Sequence, residues 1–183
     1  MRTKNPFCLA GVLVALWANT TITLAQEQRA APEAVQCGKI AKLSRVANIY
    51  IGGQPTKEDF AELKKLGIKT ILNLRQTGET ALDEQALATE HGIRYVHLPF
   101  QKADELTDAV FDRVRQLLRD TKSWPIFVHC GSANRAAAVW LPYRVLDEGV
   151  SYDQAVKEAR EMGLRSAELE QRARDYIARQ LKK

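Results

Sequence analysis

Apolar positions along this chain alternate between short β-branched runs and stretches with helical spacing. Val46 to Ile51 reads as a strand closed by Gly52-Gly53. Thr56 begins a helix, with Asp59 three residues on in an approximate capping box. Phe60, Leu63 and Leu66 give that helix one apolar face, and Gly67 ends it. Ile68 to Leu74 predicts a second strand, Ala81 to His91 a helix stopped by Gly92, and Ile93 to Leu98 a third strand ended by Pro99. Thr107 caps a helix whose buried stripe is Val110, Val114, Leu117 and Leu118. Trp124-Pro125 breaks the chain before the strand Ile126–Val128. Arg135 to Glu148 is helical, and Pro142 inside it predicts a kink or a displaced hydrogen bond. Ser151 starts a helix that ends near Gly163, and Ser166 to Leu181 forms a last, charged one.

Strands alternating with helices of this length predict an α/β fold, with a mostly parallel central sheet of about four to five strands flanked by helices. Ligands of such sheets bind beyond the carboxyl ends of the strands. No internal repeat interrupts the pattern. Residues 26–44 read as a linker or N-terminal arm, opening on the polar, proline-containing run 26–36, and residues 45–183 as the folded domain.

The first 25 residues have a different character. Arg2 and Lys4 form a basic n-region, and Phe7 to Ala18 is an apolar run of twelve residues, too short to span a bilayer. Thr23-Leu24-Ala25 places small residues before Gln26, so the segment reads as a removable export signal, with a short uncleaved anchor as the alternative. Cleavage would leave Gln26–Lys183, without a stable membrane span, in a periplasmic or secreted location. The formal charge of +5 falls to +3, because residues 1–25 carry two bases and no acid. That mild basicity suits an anionic ligand and lacks the aromatic-basic interleaving of a nucleic-acid interface. Cys8 leaves with the signal, so Cys37 and Cys130 remain for an oxidising compartment. They either pair as a protective disulfide or stay as free thiols, with Cys37 close to the N-terminal arm.

The chemistry concentrates in Val128-His129-Cys130-Gly131-Ser132-Ala133-Asn134-Arg135. An apolar strand delivers a cysteine onto a loop of small residues, and an arginine closes the loop where a helix starts. A thiolate is the nucleophilic form of cysteine, and a helix N-terminus favours an anion there. Successive amides of Gly131, Ser132, Ala133, Asn134 and Arg135 can curl around a tetrahedral oxyanion. The Arg135 guanidinium adds a planar fork of donors. His129, beside the cysteine, is placed to support the thiolate. The competing reading is a buried, inert cysteine at a strand end. His91 and His97 fall on different elements and no Cys/His/Asp cluster has metal-ligand spacing, so neither a metal nor another cofactor is expected. Trp124 and Trp140 read as core, and Arg165, Arg172, Arg174 and Arg179 as a solvated face of the last helix.

Several segments in order carry a family resemblance: Gly53-Gln54-Pro55, Leu66 through Arg75 with Glu79, Tyr95-Val96-His97-Leu98-Pro99, and the His129–Arg135 loop. Together they resemble the bacterial dual-specificity-like proteins of the protein tyrosine phosphatase superfamily, in particular the beta-lactamase-hydrolase-like phosphatase group, over roughly residues 45–165. The resemblance implies a metal-free, two-step hydrolysis of a phosphomonoester on a protein or a small molecule. Cys130 would form a thiophosphoryl intermediate, and the loop amides with Arg135 would hold the equatorial oxygens.

Three features depart from the superfamily's usual pattern. Four residues separate Cys130 from Arg135 instead of five, a spacing that the near relatives share with rhodanese sulfurtransferases. Ala136 stands where a hydroxyl often assists the leaving thiolate, and Ser132 is the nearest substitute. After Pro99-Phe100, Lys102 takes the place of the expected acidic aspartate. Asp104 is then the candidate general acid, with Glu105 beside it. Glu79 is another, unless Arg75 and Glu79 form a structural ion pair. Sulfur transfer and anion or partner binding without turnover are therefore the alternative functions.

Overall fold

The computed structural model describes residues 30–183, so the expected export signal and Cys8 lie outside the described residues. Strands β1 (Glu33–Ala34), β2 (Ser44–Val46), β3 (Ile49–Gly52), β4 (Thr70–Asn73), β5 (Arg94–His97) and β6 (Ile126–His129) form one sheet in the order β1-β2-β3-β6-β4-β5. β3, β6, β4 and β5 are parallel, while β1 and β2 add an antiparallel edge. The helices are α1 (Asp59–Lys65), α2 (Glu84–Glu90), α3 (Asp108–Arg119), α4 (Asn134–Leu146), α5 (Tyr152–Met162) and α6 (Ala167–Gln180).

Every residue of β3, β4 and β6 is buried, as expected of parallel strands covered on both faces. Alternation along each strand divides the core in two. Ile49, Ile51, Leu72, Ile126 and Val128 face the layer of α3 to α6, packing with Phe111, Trp140 and Tyr176. Tyr50, Ile71 and Phe127 face the opposite layer, with Phe60 of α1, Leu87 of α2 and Cys37, Ile40 and Leu43 from the chain before β2. Trp140 is fully buried, and Trp124 packs against the core while its indole N–H donates to the Leu118 carbonyl at 2.9 Å, so both tryptophans are structural.

The apolar run Val46–Ile51 is not one strand. The chain turns at Ala47-Asn48, with Val46 opposite Ile49 and Ala47 at φ 50°. A two-residue hairpin requires a positive φ of this kind, and alanine does not announce one. α1 also begins later than Thr56. The buried Asp59 carboxylate accepts from the Thr56 amide at 2.7 Å and the Lys39 amide at 2.8 Å, which gives the acid's half of the capping box alone. Pro142 does not end α4, which continues to Leu146 in the middle of the helical layer. Ala136, Ala137 and Ala138 point in successive directions around the helix and are all fully buried, so this part of α4 is covered on several sides.

Candidate functional site

β6 lies between β3 and β4 and ends at His129, so Cys130 emerges from the middle of the parallel sheet at its carboxyl edge. The loop is tied to the end of β3 by a bridge between Gly53 and Ser132 and by the Gln54 amide donating to the Gly131 carbonyl at 3.4 Å. Ala133 takes a left-handed conformation (φ 67°) and turns the chain into α4. The first amides of α4, which follow directly on the cysteine loop, have no acceptor within the helix. Cys130 is 1 % exposed and forms the floor of a cavity of about 620 Å³. Gly131, Ser132, Asn134 and Arg135 share that floor, Gln101 to Asp104 form one wall, and Ser166, Glu168 and Leu169 form the other.

Arg135 is fixed with unusual completeness. Its Nη1 donates to Glu79 Oε1 at 2.7 Å, to the Phe100 carbonyl at 2.8 Å and to the Leu74 carbonyl at 3.2 Å, and its Nη2 donates to Glu79 Oε2 at 2.6 Å. This is a two-pronged guanidinium–carboxylate pair, the arrangement that best sets an arginine's plane. It raises the Arg135 pKa through the Glu79 hydrogen bonds, against burial and with help from Cys130. The same contact depresses the Glu79 carboxyl to about 2, with smaller contributions from the Gln76 amide and Arg75. Glu79 is thus held as a carboxylate and does not supply a proton. The expected pairing of Arg75 with Glu79 is present, but Arg135 is the closer partner.

Behind Cys130 a buried polar network joins the sequence segments noted above. Arg75 donates to the Gln54 side chain and to the Glu79 carbonyl. Gln54 Nε2 donates to Glu84 Oε1 at 2.7 Å, Asn73 Nδ2 lies 3.2 Å from Glu84 Oε2, and His129 Nε2 lies 3.0 Å from the same oxygen. Burial raises the Glu84 pKa, but His129 and then Gln54 and Arg75 outweigh it, and the net shift is downward. The His129 ring stacks on Phe127, on the α1–α2 side of the sheet, whereas the Cys130 side chain belongs to the other core layer. Glu84, Gln54 and Asn73 gain roles here that residue type and spacing did not suggest, because their meeting depends on the order of strands in the sheet.

Asp104 lines the cavity and is exposed, with its carboxylate accepting only from the neighbouring Glu105 amide at 3.1 Å. Glu105 points elsewhere and accepts from the Gln101 amide at 2.7 Å and from Gln76 Nε2 at 3.0 Å. Lys102 lines the same wall as Asp104. The Ser132 hydroxyl accepts from Arg165 Nη2 at 2.9 Å. Asn134 Oδ1 accepts from the Arg165 and Ser166 amides at 2.7 and 3.2 Å, so its side chain holds the α5–α6 connection in place. Glu168, in the first turn of α6, is a further cavity residue that the sequence did not single out.

Of the arginines expected to form a solvated face, Arg165, Arg174 and Arg179 are exposed as expected and Arg172 is half-buried, and all four also make specific contacts. Arg165 lies beside the cysteine loop, Arg172 donates to the Leu106 carbonyl at 2.9 Å, Arg174 stacks over Tyr152 and Arg179 pairs with Asp108 at 2.5 Å. These contacts are inter-element ones, which helical periodicity cannot reveal. Cys37 and Cys130 are both free, and they belong to core clusters on opposite faces of the sheet, so the expected alternative of a disulfide between them is absent. Among the described residues no group of three or more His, Cys, Asp or Glu side chains is placed to hold a metal, and no helix is long and apolar enough to cross a membrane.

Comparison with known proteins supports the same family as the sequence motifs. A family model described as a DSP-PTPase phosphatase fused to NAD+ kinase matches residues 32–176. A beta-lactamase hydrolase-like protein of Xylella fastidiosa is 28% identical over 111 residues, covering 58% of this chain and 25% of its own length. The dual specificity protein phosphatase TpbA of Pseudomonas aeruginosa is 26% identical over 117 residues, covering 63% of this chain and 51% of its own length. The chain therefore spans between a quarter and a half of these curated relatives. In structure, it resembles P. aeruginosa TpbA with a TM-score of 0.65 at 24% identity, over 82% of this chain and 90% of that one. The core catalytic domain of the PP-IP phosphatase SIW14 of S. cerevisiae gives a TM-score of 0.66 at 20% identity, over 77% and 88%. These structural likenesses show the fold.

Proposed function

The chain belongs to the DSP-PTPase phosphatase family, and on that premise we propose that it hydrolyses phosphomonoesters through a covalent intermediate on Cys130. The observation that carries this reading is the placement of Cys130 on the floor of an open cavity, with Arg135 beside it locked in plane by Glu79. In the first step the Cys130 thiolate forms a bond to phosphorus while the bond from phosphorus to the ester oxygen breaks. Asp104 gives its proton to that departing oxygen, so the product leaves as an alcohol or phenol. In the second step water attacks the thiophosphoryl group, Asp104 takes back a proton, and phosphate and the thiolate are released. The loop amides and the Arg135 guanidinium hold the equatorial oxygens, where charge accumulates in both transition states. No metal enters the scheme.

A cysteine-to-serine variant of TpbA has been crystallised with pTyr. Phosphotyrosine is accordingly one substrate class for this chain, beside phosphoserine and small phosphorylated molecules. The basic n-region and apolar run of the leader support export to the periplasm or medium, with Gln26 as the mature N-terminus.

One parallel assay tests the reading. The reduced protein is offered an aryl phosphate in one arm and thiosulfate with cyanide in the other, each repeated with Cys130→Ser. Phosphate release lost in the variant is the expected result. Thiocyanate formation with a persulfide on Cys130 would instead favour the sulfurtransferase suggested by the four-residue loop. Phosphate binding without turnover would favour a binding module. Asp104→Asn is expected to slow alkyl phosphates roughly a hundredfold and aryl phosphates with good leaving groups far less. Equal losses on both would remove Asp104 as the acid.

A further inference from the structure

Glu105 stands next to the candidate acid but outside the cavity lining. Its Oε2 accepts from the Gln101 amide at 2.7 Å, at the start of the segment that carries Lys102 and Asp104. The same oxygen accepts from Gln76 Nε2 at 3.0 Å, and Gln76 opens the turn that ends at Glu79. That turn is itself built around the site, because the Gln76 amide donates to Glu79 Oε1 at 2.7 Å and Glu79 grips Arg135. At its base the acid segment is held by the Phe100 carbonyl on Arg135 and by the Phe100 amide on the Leu74 carbonyl at 3.3 Å. Beyond Phe100, the Leu106 amide closes the segment on the Ala103 carbonyl at 3.3 Å, and Arg172 of α6 holds its far end through the Leu106 carbonyl at 2.9 Å. Among the described residues, the Glu105 carboxylate is the side chain that joins this segment beyond Phe100 to the turn that positions the arginine.

We propose that Glu105 is a positioning residue: one carboxylate oxygen latches the Gln101–Asp104 segment to the Gln76–Glu79 turn and so sets Asp104 over Cys130. The inference rests on the phosphatase reading, with Asp104 as acid. The physical argument concerns relative placement. Proton donation depends on the acid lying within hydrogen-bond reach of the leaving oxygen, and a displacement of about 1 Å can cost a hundredfold in rate. Cys130 is held by β6 and the start of α4, and Arg135 keeps both of its bonds to the Glu79 carboxylate, which Glu105 reaches only through the Gln76 side chain. Loss of the latch therefore affects protonation of the leaving group and spares the nucleophile. A glutamine at 105 keeps a carbonyl oxygen that accepts both bonds, whereas alanine keeps neither.

The test compares Glu105→Ala and Glu105→Gln in the full chain, on an alkyl phosphate and on an aryl phosphate with a good leaving group. Glu105→Ala is expected to lower kcat on the alkyl ester about tenfold and on the aryl ester less than about threefold, with the alkylation rate of Cys130 unchanged. Glu105→Gln is expected to restore both to within about twofold of the parent protein. A role confined to fold stability would lower the two substrates together, and that result, or no loss on either, overturns the proposal. Amide hydrogen exchange gives a readout independent of turnover. Faster exchange at Gln101 in Glu105→Ala is the expected outcome, and unchanged exchange overturns the latch. A parent protein that hydrolyses neither ester counts against the phosphatase reading, and the exchange result then decides the latch by itself.

Discussion

Arg135 and Glu79 show how a single pair governs the site at the scale of residues. An arginine that binds a transferring phosphoryl group must present its donors in one plane before the substrate arrives. Glu79 supplies that order through two short bonds, and its own carboxyl is held down at about 2 by the same contact. Glu79→Gln is expected to lower kcat/KM on the order of a hundredfold by loosening Arg135, while Cys130 still reacts with alkylating agents. The pair also has a pH signature. The folded Glu79 pKa lies below the ordinary value of 4.5, so its contribution to stability is complete above about 4.5 and is lost as the pH falls through about 2. Denaturant titrations of the parent and Glu79→Gln are therefore expected to differ near neutral pH and to converge as the pH falls from 4.5 towards 2. A constant difference across that range would separate the pair from the acid transition. The sequence displayed Cys130 and Arg135 because strand, loop and helix follow each other locally. Glu79 stands 56 residues from Arg135, and nothing in the spacing distinguished an acid that donates a proton from one that anchors a guanidinium.

Among the elements, α4 and the α5–α6 connection shape the loop together. Gly163 ends α5 at φ 127°, and a side chain there would meet the Ala133 methyl at 3.1 Å and the Ser132 carbonyl at 3.4 Å. Both the backbone conformation and the contact oppose any larger residue. Gly163→Ala is expected to destabilise the protein by about 1–3 kcal/mol and to slow turnover by displacing Ser132 and Ala133, as read by thermal unfolding and by kcat on one substrate. Helical spacing correctly marked α5 and its terminal glycine, but not that this glycine abuts the cysteine loop. The same limit explains the arginines of α6, whose partners lie on α3, α5 and the loops. At Ala47-Asn48 the failure was different. The one polar residue there, Asn48, is a turn-favouring residue, but Ala47 beside it and the apolar residues on either side masked the hairpin that separates β2 from β3.

For the molecule as a whole, the alternation of strands and helices foretold the parallel sheet, and the two-sided burial of β3, β4 and β6 accounts for their nearly continuous apolar sequence. The antiparallel edge was hidden because β1 has two residues and little pattern of its own. This architecture puts the end of β6 between two neighbouring strand ends, which contribute Gln54 and Asn73 to the network behind the nucleophile. The central claim is that this strand end presents Cys130 as the atom that takes the phosphoryl group. Its most direct test is acid quenching of the full chain during turnover of an aryl phosphate, followed by peptide mass analysis. The account predicts one phosphoryl group on the peptide containing Cys130, and none in Cys130→Ser, which also releases no phosphate. Continued phosphate release by that variant, or a phosphoryl group on a different residue, would contradict it.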